Sequence, residues 1–130
     1  MSKVRFTRIH SRQVKGKGRG KLLGYPTINL EIKDGPSLAY GIYASWVGIG
    51  TRRFMGALHW GPVPTFRESD PSLEVFLLDA GEDDLPAGVL TNVAILPVER
   101  LRDVLDFPSK DALTVQIGKD IEETRRILGE

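Results

Sequence analysis

The apolar residues of this chain recur mostly with period two, in short runs broken by glycine and proline, and that pattern narrows the fold more than any other feature. Every second residue of an extended strand lines one face, whereas a helix repeats near 3.6. With 14 glycines and 8 prolines between and around the runs, antiparallel strands joined by turns are predicted. The spacing places strands near 3–9, 27–32, 40–49, 53–60, 73–79 and 89–96, with Gly48-Ile49-Gly50-Thr51 as a hairpin turn between the third and fourth. Six strands are enough to close a small barrel, and closure removes exposed edges. The chain is therefore expected to be mainly β.

From Ser109 onward the period changes. Leu113, Ile117, Ile121, Thr124 and Leu128 share one helical face, Asp111 falls in the first turn, Arg125 and Arg126 fall in the last, and Gly129 is placed to cap. One amphipathic helix packed against the barrel is predicted. Gly118 inside it costs up to about 1 kcal/mol relative to alanine, so close packing or a ligand should need the bare backbone there.

With 130 residues and 41% hydrophobic content, the sequence fits one compact domain over residues 1–130 and leaves no room for a second. The absence of cysteine excludes disulfides, thiolate metal sites and a cysteine nucleophile. No apolar run approaches the roughly 20 residues of a membrane span. The start, Met1-Ser2-Lys3-Val4-Arg5, lacks the apolar core of a signal peptide, so a cytoplasmic protein is expected. Eighteen basic and 17 acidic residues nearly cancel, which argues against nucleic acid or membrane as an obligatory partner. Residues 1–24 nonetheless carry eight Lys or Arg and no Asp or Glu, enough to attract something anionic.

Four segments have chemical potential. Gly16-Lys17-Gly18-Arg19-Gly20-Lys21-Leu22-Leu23-Gly24 is glycine-rich and cationic, and its amides can approach phosphates without Cβ obstruction. It is no Walker loop, since Lys15 stands five residues before Gly20 and Leu22 follows Lys21; a solvated basic turn is the other reading. In Pro26-Thr27-Ile28-Asn29, Thr27 and Asn29 point to one face if extended, two neutral oxygens of the kind Mg²⁺ accepts beside nucleotide phosphates; a side-chain-stabilised turn after proline is the alternative. Glu74 stands in Leu73-Glu74-Val75-Phe76-Leu77-Leu78-Asp79, apolar on both faces, so it needs a partner or a task such as accepting an alcohol proton, unless it reaches solvent at the rim. His59, beside Trp60, reads as a hydrogen-bonded core residue, and with His10 the only other histidine no zinc constellation arises.

Taken together, Gly18-Arg19-Gly20, Leu23-Gly24-Tyr25-Pro26-Thr27-Ile28-Asn29, Gly41-Ile42-Tyr43-Ala44, Gly61-x-x-Pro64-Thr65-Phe66, Leu73-Glu74-Val75, Phe107 and Gln116-Ile117-x-x-Asp120 resemble the ATP-dependent riboflavin kinase family in order and spacing, from about residue 12 to residue 128. The resemblance implies a six-stranded antiparallel Greek-key barrel with a C-terminal α-helix, and transfer of the γ-phosphate of ATP to the 5′-hydroxyl of riboflavin, giving FMN and ADP. It implies nucleotide contacts from Gly16, Gly18, Arg19, Gly20, Lys21, Gly24 and Pro26, Mg²⁺ ligation by Thr27 and Asn29, a general base in Glu74, and flavin contacts from Arg102 and Phe107. Riboflavin, FMN, ATP and ADP are then the partners of a monomer, without nucleic acid or membrane. The family's adenylyltransferase half is not expected in these residues, so FMN would be the end product.

Several positions depart from the family pattern. Ile28 replaces the alanine of its Pro-Thr-Ala-Asn signature, His59-Trp60 replace Asn or Ser followed by Ile, Pro86-Ala87-Gly88 stand where Tyr-Gly is common, and Val104 replaces an acidic residue. The proposed metal and base positions are intact. The rival expectations are a flavin-binding barrel without kinase activity and a small RNA-binding barrel, the latter weakened by the lack of an aromatic row on any strand.

Overall fold

The computed structural model describes residues 6–16, 24–33 and 35–129. Six strands, β1 (Ile9–Ser11), β2 (Thr27–Asn29), β3 (Gly41–Ile49), β4 (Arg52–Gly61), β5 (Ser72–Leu77) and β6 (Val93–Arg102), precede one helix, α1 (Lys110–Leu128). All pairings are antiparallel, in the order β1-β6-β3-β4-β5-β2. The two outer members meet just beyond their ends: Gln13 bridges Leu30, Val14 N–H donates to Asn29 O at 2.8 Å, and Glu31 N–H donates to Arg12 O at 2.9 Å. These bonds form a seam that curls the sheet into the expected barrel.

Alternation along the strands builds two apolar layers. Ile28, Leu58, Val47, Val75, Val93 and Ile95 are fully buried inside the barrel. Gly56 permits this packing, because a Cβ there would lie 2.5 Å from Val75 Cγ2 and 2.8 Å from Val47 Cγ2. The opposite faces of β4 and β5 carry Ala57 and Phe76, which pack against Leu113 and Ile117 of α1. Ser109 caps the helix by accepting Ala112 N–H at 3.0 Å. Gly129 donates to Arg125 O at 2.7 Å, but with φ −80° rather than in the left-handed conformation usual for a terminal glycine. Gly118 answers to close packing: a Cβ there would stand 3.1 Å from the Tyr25 hydroxyl.

Strand boundaries differ from expectation mainly at the two ends. Of the strand expected near 3–9, residues 3–5 lie outside the described residues, 6–8 are not strand, and β1 begins at Ile9. The last begins at Val93 instead of 89 and continues to Arg102, through Pro97. Proline interrupts strands because it cannot donate to a ladder, yet β1 pairs only with Val93–Ile95, so among the described residues β6 has a single neighbour at Pro97. Register breaks on β3 between Ala44 and Ser45 and between Ile42 and Tyr43 leave Val98 and Leu101 as extra residues on β6. In unbroken register Ile42 would face Arg100; with the two bulges it faces Arg102.

Candidate active site

One cross-strand row traverses most of the sheet. Asn29 on β2 faces Glu74 on β5, Glu74 faces His59 on β4, His59 faces Ile42 on β3, and Ile42 faces Arg102 on β6. Residues directly opposed in antiparallel pairs project from the same face. Ala57 and Phe76, two residues along from His59 and Glu74, lie beneath α1, which fixes that face as the helix side. The chemistry-bearing positions thus lie on the outer face of the barrel, the face that α1 covers at Ala57 and Phe76.

Glu74 is only 4% exposed. It borders a cavity of ≈ 30 Å³ under α1 together with His59, Arg102, Asp120 and apolar residues including Phe76 and Leu113. It also borders an open cleft of ≈ 300 Å³ lined by Lys15, Gly16 and Asn29. Among the described residues, Glu74 is the one that lines both spaces. The rim alternative for this glutamate is therefore not what the fold adopts. A larger cavity, ≈ 530 Å³, lies beyond Glu31 beside Arg8, His10, Arg12 and Lys33, and holds none of the expected site residues.

On the cleft side, Gly16 approaches Asn29 so closely that a Cβ would stand 1.9 Å from Asn29 Nδ2. The first glycine of the basic segment is thereby seated on the Asn29 carboxamide. Thr27 faces Phe76 across the ladder, which puts it on the same side as Asn29. Its hydroxyl donates to Tyr25 O at 3.0 Å, so the local turn bond exists, while the oxygen keeps lone pairs for a cation. Pro26 O accepts Leu77 N–H at 3.0 Å, and Gly24 has φ +80° with open space around its α-carbon. Tyr25 stacks edge-on against Phe76, ring centroids 6.5 Å apart, tying this stretch to the helix side. Gly18, Arg19, Gly20 and Lys21 lie outside the described residues. Among the described residues no three His, Cys, Asp or Glu side chains converge as a metal group. Thr27 and Asn29 bring two neutral side-chain oxygens to one face of β2, a donor type that fits a hard cation completed by water and phosphate.

On the helix side, Arg102 grips Asp120 with two bonds, Nε to Oδ1 at 2.9 Å and Nη2 to Oδ2 at 2.7 Å. Gln116 Nε2 donates to the same Oδ1 at 3.0 Å. The Arg102 guanidinium carbon lies 5.5 Å from the centre of the Phe107 ring, and Phe107 N–H donates to Thr65 Oγ1 at 3.0 Å. The two residues expected to meet a flavin are thus neighbours, and Arg102 lines the cavity. Residue type alone assigns Asp120 no task, although it falls on the buried face of α1 with Leu113, Ile117, Thr124 and Leu128. A carboxylate on an apolar stripe signals a buried partner, and Arg102 is that partner.

His59 and Trp60 both have structural anchors. His59 Nε2 lies 2.9 Å from Gly61 O and 3.2 Å from Pro62 O, and Trp60 Nε1 donates to Leu38 O at 3.0 Å. Trp60 belongs to the barrel core, and His59 lines the cavity beside Glu74.

The sequence profile of the riboflavin kinase (flavokinase) family matches residues 4–128. The bifunctional riboflavin kinase/FMN adenylyltransferase of Haemophilus influenzae is 31% identical over 119 residues, covering 91% of this chain and 37% of that protein. The Escherichia coli protein of the same name is 30% identical over 122 residues, covering 93% of this chain and 38% of that protein. An RNA-binding riboflavin kinase of Bacillus subtilis is 31% identical over 117 residues, 89% of this chain and 49% of its own length. A solved structure described as a macrolide-efflux protein from Streptococcus pneumoniae superposes with a TM-score of 0.75 at 29% identity, over 92% of this chain and 38% of that one. No helix among the described residues is long and apolar enough to cross a membrane. With the profile spanning nearly every residue and the expected base and oxygen ligands set side by side on β2 and β5, the chain belongs to the riboflavin kinase family.

Proposed function

We propose that this chain is a riboflavin kinase, a phosphotransferase that moves the γ-phosphate of ATP to the ribityl 5′-hydroxyl of riboflavin and releases FMN and ADP. The observation that carries the proposal is the position of Glu74, the one residue among those described that is shared by a mainly apolar cavity under α1 and a polar cleft leading to Gly16 and Asn29. A reaction that joins an alcohol on a largely apolar substrate to a phosphate needs its base where two such spaces meet. The segment Gly16 to Gly24, with Gly18, Arg19, Gly20, Lys21 and Pro26, would cover the ATP phosphates. Arg102 and Phe107 would meet the flavin over the cavity. A space of ≈ 30 Å³ accommodates about one water, so the 103–108 segment or α1 would have to yield to admit a flavin.

Phosphoryl transfer asks the protein mainly for alignment and charge neutralisation. Thr27 and Asn29 would hold Mg²⁺, which when bound supplies positive charge to the phosphate oxygens. Glu74 would accept a hydrogen bond from the 5′-hydroxyl, aim its oxygen along the line of attack, and take its proton late as the bond to phosphorus forms. The cover of α1 and Phe66 over the cavity would keep water from competing as acceptor. The Bacillus subtilis relative with RNA binding in its name is itself named a riboflavin kinase, so it does not favour a barrel without catalysis. Because the chain spans 37% and 38% of the two bifunctional relatives, the proposal covers FMN synthesis by residues 1–130 as one unit, a monomer working in the cytoplasm.

The test is to incubate the purified protein with riboflavin, ATP and Mg²⁺ and to separate the flavins by fluorescence-detected chromatography, with and without a chelator. Metal-dependent FMN is expected, and no FMN with any nucleoside triphosphate would refute the proposal. Glu74→Gln should lower kcat about a hundredfold or more while substrate KM values change little. Equal turnover in that variant removes the base assignment.

A further inference from the structure

A threonine hydroxyl can serve a cation only while its hydrogen points elsewhere. In Thr27 that hydrogen has a fixed destination, since Oγ1 donates to the carbonyl oxygen of Tyr25 at 3.0 Å. The direction of the remaining lone pairs therefore follows from where the Tyr25 carbonyl stands. Outer partners that orient a metal's ligands in this way commonly govern its affinity by about ten- to a hundredfold.

The backbone restrains that carbonyl from one side only. Pro26 confines Tyr25 to extended conformations, and its own carbonyl is held by Leu77 N–H at 3.0 Å. Gly24, on the other side, offers no comparable hold: its φ is +80° and no atom lies within 4 Å of where a Cβ would be. The rest of the restraint comes from the Tyr25 ring. It lies edge-on to Phe76, with centroids 6.5 Å and planes 86° apart, and Phe76 is the residue directly opposite Thr27. The ring packs against the cluster that contains Leu113 and Ile117, and its hydroxyl end reaches α1 at Gly118, where a Cβ would stand 3.1 Å away. A mid-helix glycine is unfavourable relative to alanine, and here the bare backbone leaves room for the tip of the ring.

We propose that Tyr25 is a positioning residue for the cation: its ring, set against Phe76 and Gly118, holds the backbone carbonyl that takes the Thr27 hydrogen and so aims the Thr27 oxygen at the metal. The inference rests on the kinase assignment and deepens it, because it ties a ligand on β2 to the seat of the helix that covers the cavity.

The test measures Mn²⁺ bound in the presence of ADP, from the fall in the free ion's electron paramagnetic resonance signal, and so needs no turnover. Gly118→Ala sets a methyl group 3.1 Å from the Tyr25 hydroxyl, and the ring must give by a few tenths of an ångström. Mn²⁺ affinity should fall about threefold or more, while Tm holds or rises because alanine favours the helix. Tyr25→Leu loses both the edge contact and the reach to α1, and should weaken Mn²⁺ binding about tenfold. Two double variants trace the route. With Tyr25→Phe the hydroxyl that the methyl would meet is gone, and with Thr27→Val the oxygen to be aimed is gone; adding Gly118→Ala to either should change the affinity by less than about twofold. A role confined to packing predicts a lower Tm with unchanged Mn²⁺ affinity in the single variants, and that result overturns the inference. An effect of Gly118→Ala that persists at full size in either double variant overturns it as well. If the parent protein makes FMN yet its Mn²⁺ affinity ignores Gly118→Ala and Tyr25→Leu, the positioning role falls alone. A parent protein that makes no FMN but shows the expected pattern with Mn²⁺ and ADP loses the kinase assignment and keeps the oriented cation site.

Discussion

Removing Asp120 should expose how much of the site's architecture hangs on one ion pair. The Arg102 and Asp120 side chains are 15% and 5% exposed, and Asp120 accepts from both Arg102 and Gln116. Deleting one partner of a buried pair leaves the other charge uncompensated, at about 3–5 kcal/mol. Arg102 would keep its bond to Asp103 O at 2.9 Å and its place over Phe107, and it has a path to solvent. Asp120→Ala should therefore fall at the low end, about 3 kcal/mol. At about 3–5 °C per kcal/mol for a domain of this size, Tm should drop by about 10 °C. The combined change Arg102→Met with Asp120→Leu removes both charges and refills the space, and should return stability to within about 1 kcal/mol of the parent. Urea titrations followed by the fluorescence of Trp46 and Trp60 give both values, and FMN synthesis then shows whether the stable double variant has lost its hold on riboflavin. A loss under about 1 kcal/mol for Asp120→Ala, or a double variant as unstable as the single one, would refute the account of the pair.

Gly16→Ala brings a methyl group to within 1.9 Å of Asn29 Nδ2, so the carboxamide must swing aside; the apparent Mg²⁺ affinity in the FMN assay should weaken about tenfold with Tm little changed, and an unaltered Mg²⁺ titration would detach Asn29 from the metal. Arg125 hydrogen-bonds Asp79 and holds its carboxyl below the usual range. A depressed folded pKa stabilises the protein above the unfolded value, and that contribution disappears as pH falls through the folded one. Asp79→Asn should thus flatten the acid side of the stability curve by no more than a few tenths of a kcal/mol, since the pair is exposed. Asparagine tolerates the φ of +54° at this position, so a larger loss in pH-dependent denaturation would contradict the assignment.

Much of this architecture was readable from periodicity. The hairpin at Gly50-Thr51 closes on the Ile49–Arg52 pair with φ +61° at Gly50, as a two-residue turn with leading glycine requires. The four central strands match the alternation closely, because there one residue in two must enter a dry barrel. Readability failed where local rules were overridden by neighbours. The last strand was expected to stop near 96, yet β6 continues through Pro97, where among the described residues it has only one partner. Bulges leave no trace in periodicity, so nothing in the residues alone put Arg102 rather than Arg100 opposite Ile42. Thr27, Asn29 and Glu74 were picked out by residue type, but their adjacency depends on β2 pairing with β5, a contact between residues far apart in sequence. His59 was rightly read as hydrogen-bonded; its place next to Glu74 became visible only with the β4–β5 register.

The seam between Gln13 and Leu30 has a consequence for assembly. The chain stretches that meet there are 17 positions apart, but each is delivered by a distant strand, β1 by β6 and β2 by β5. Gly16 and Asn29 adjoin that final stitch, and Arg102 and Asp120 come from the last third of the chain. The groups of the cleft all lie before residue 78, whereas the Arg102–Asp120 pair beside the cavity comes from the last third, so in a nascent chain the cavity side would be completed last. The complete set of groups would come together only when the C-terminal helix docks and the first and second strands have both found partners made after them.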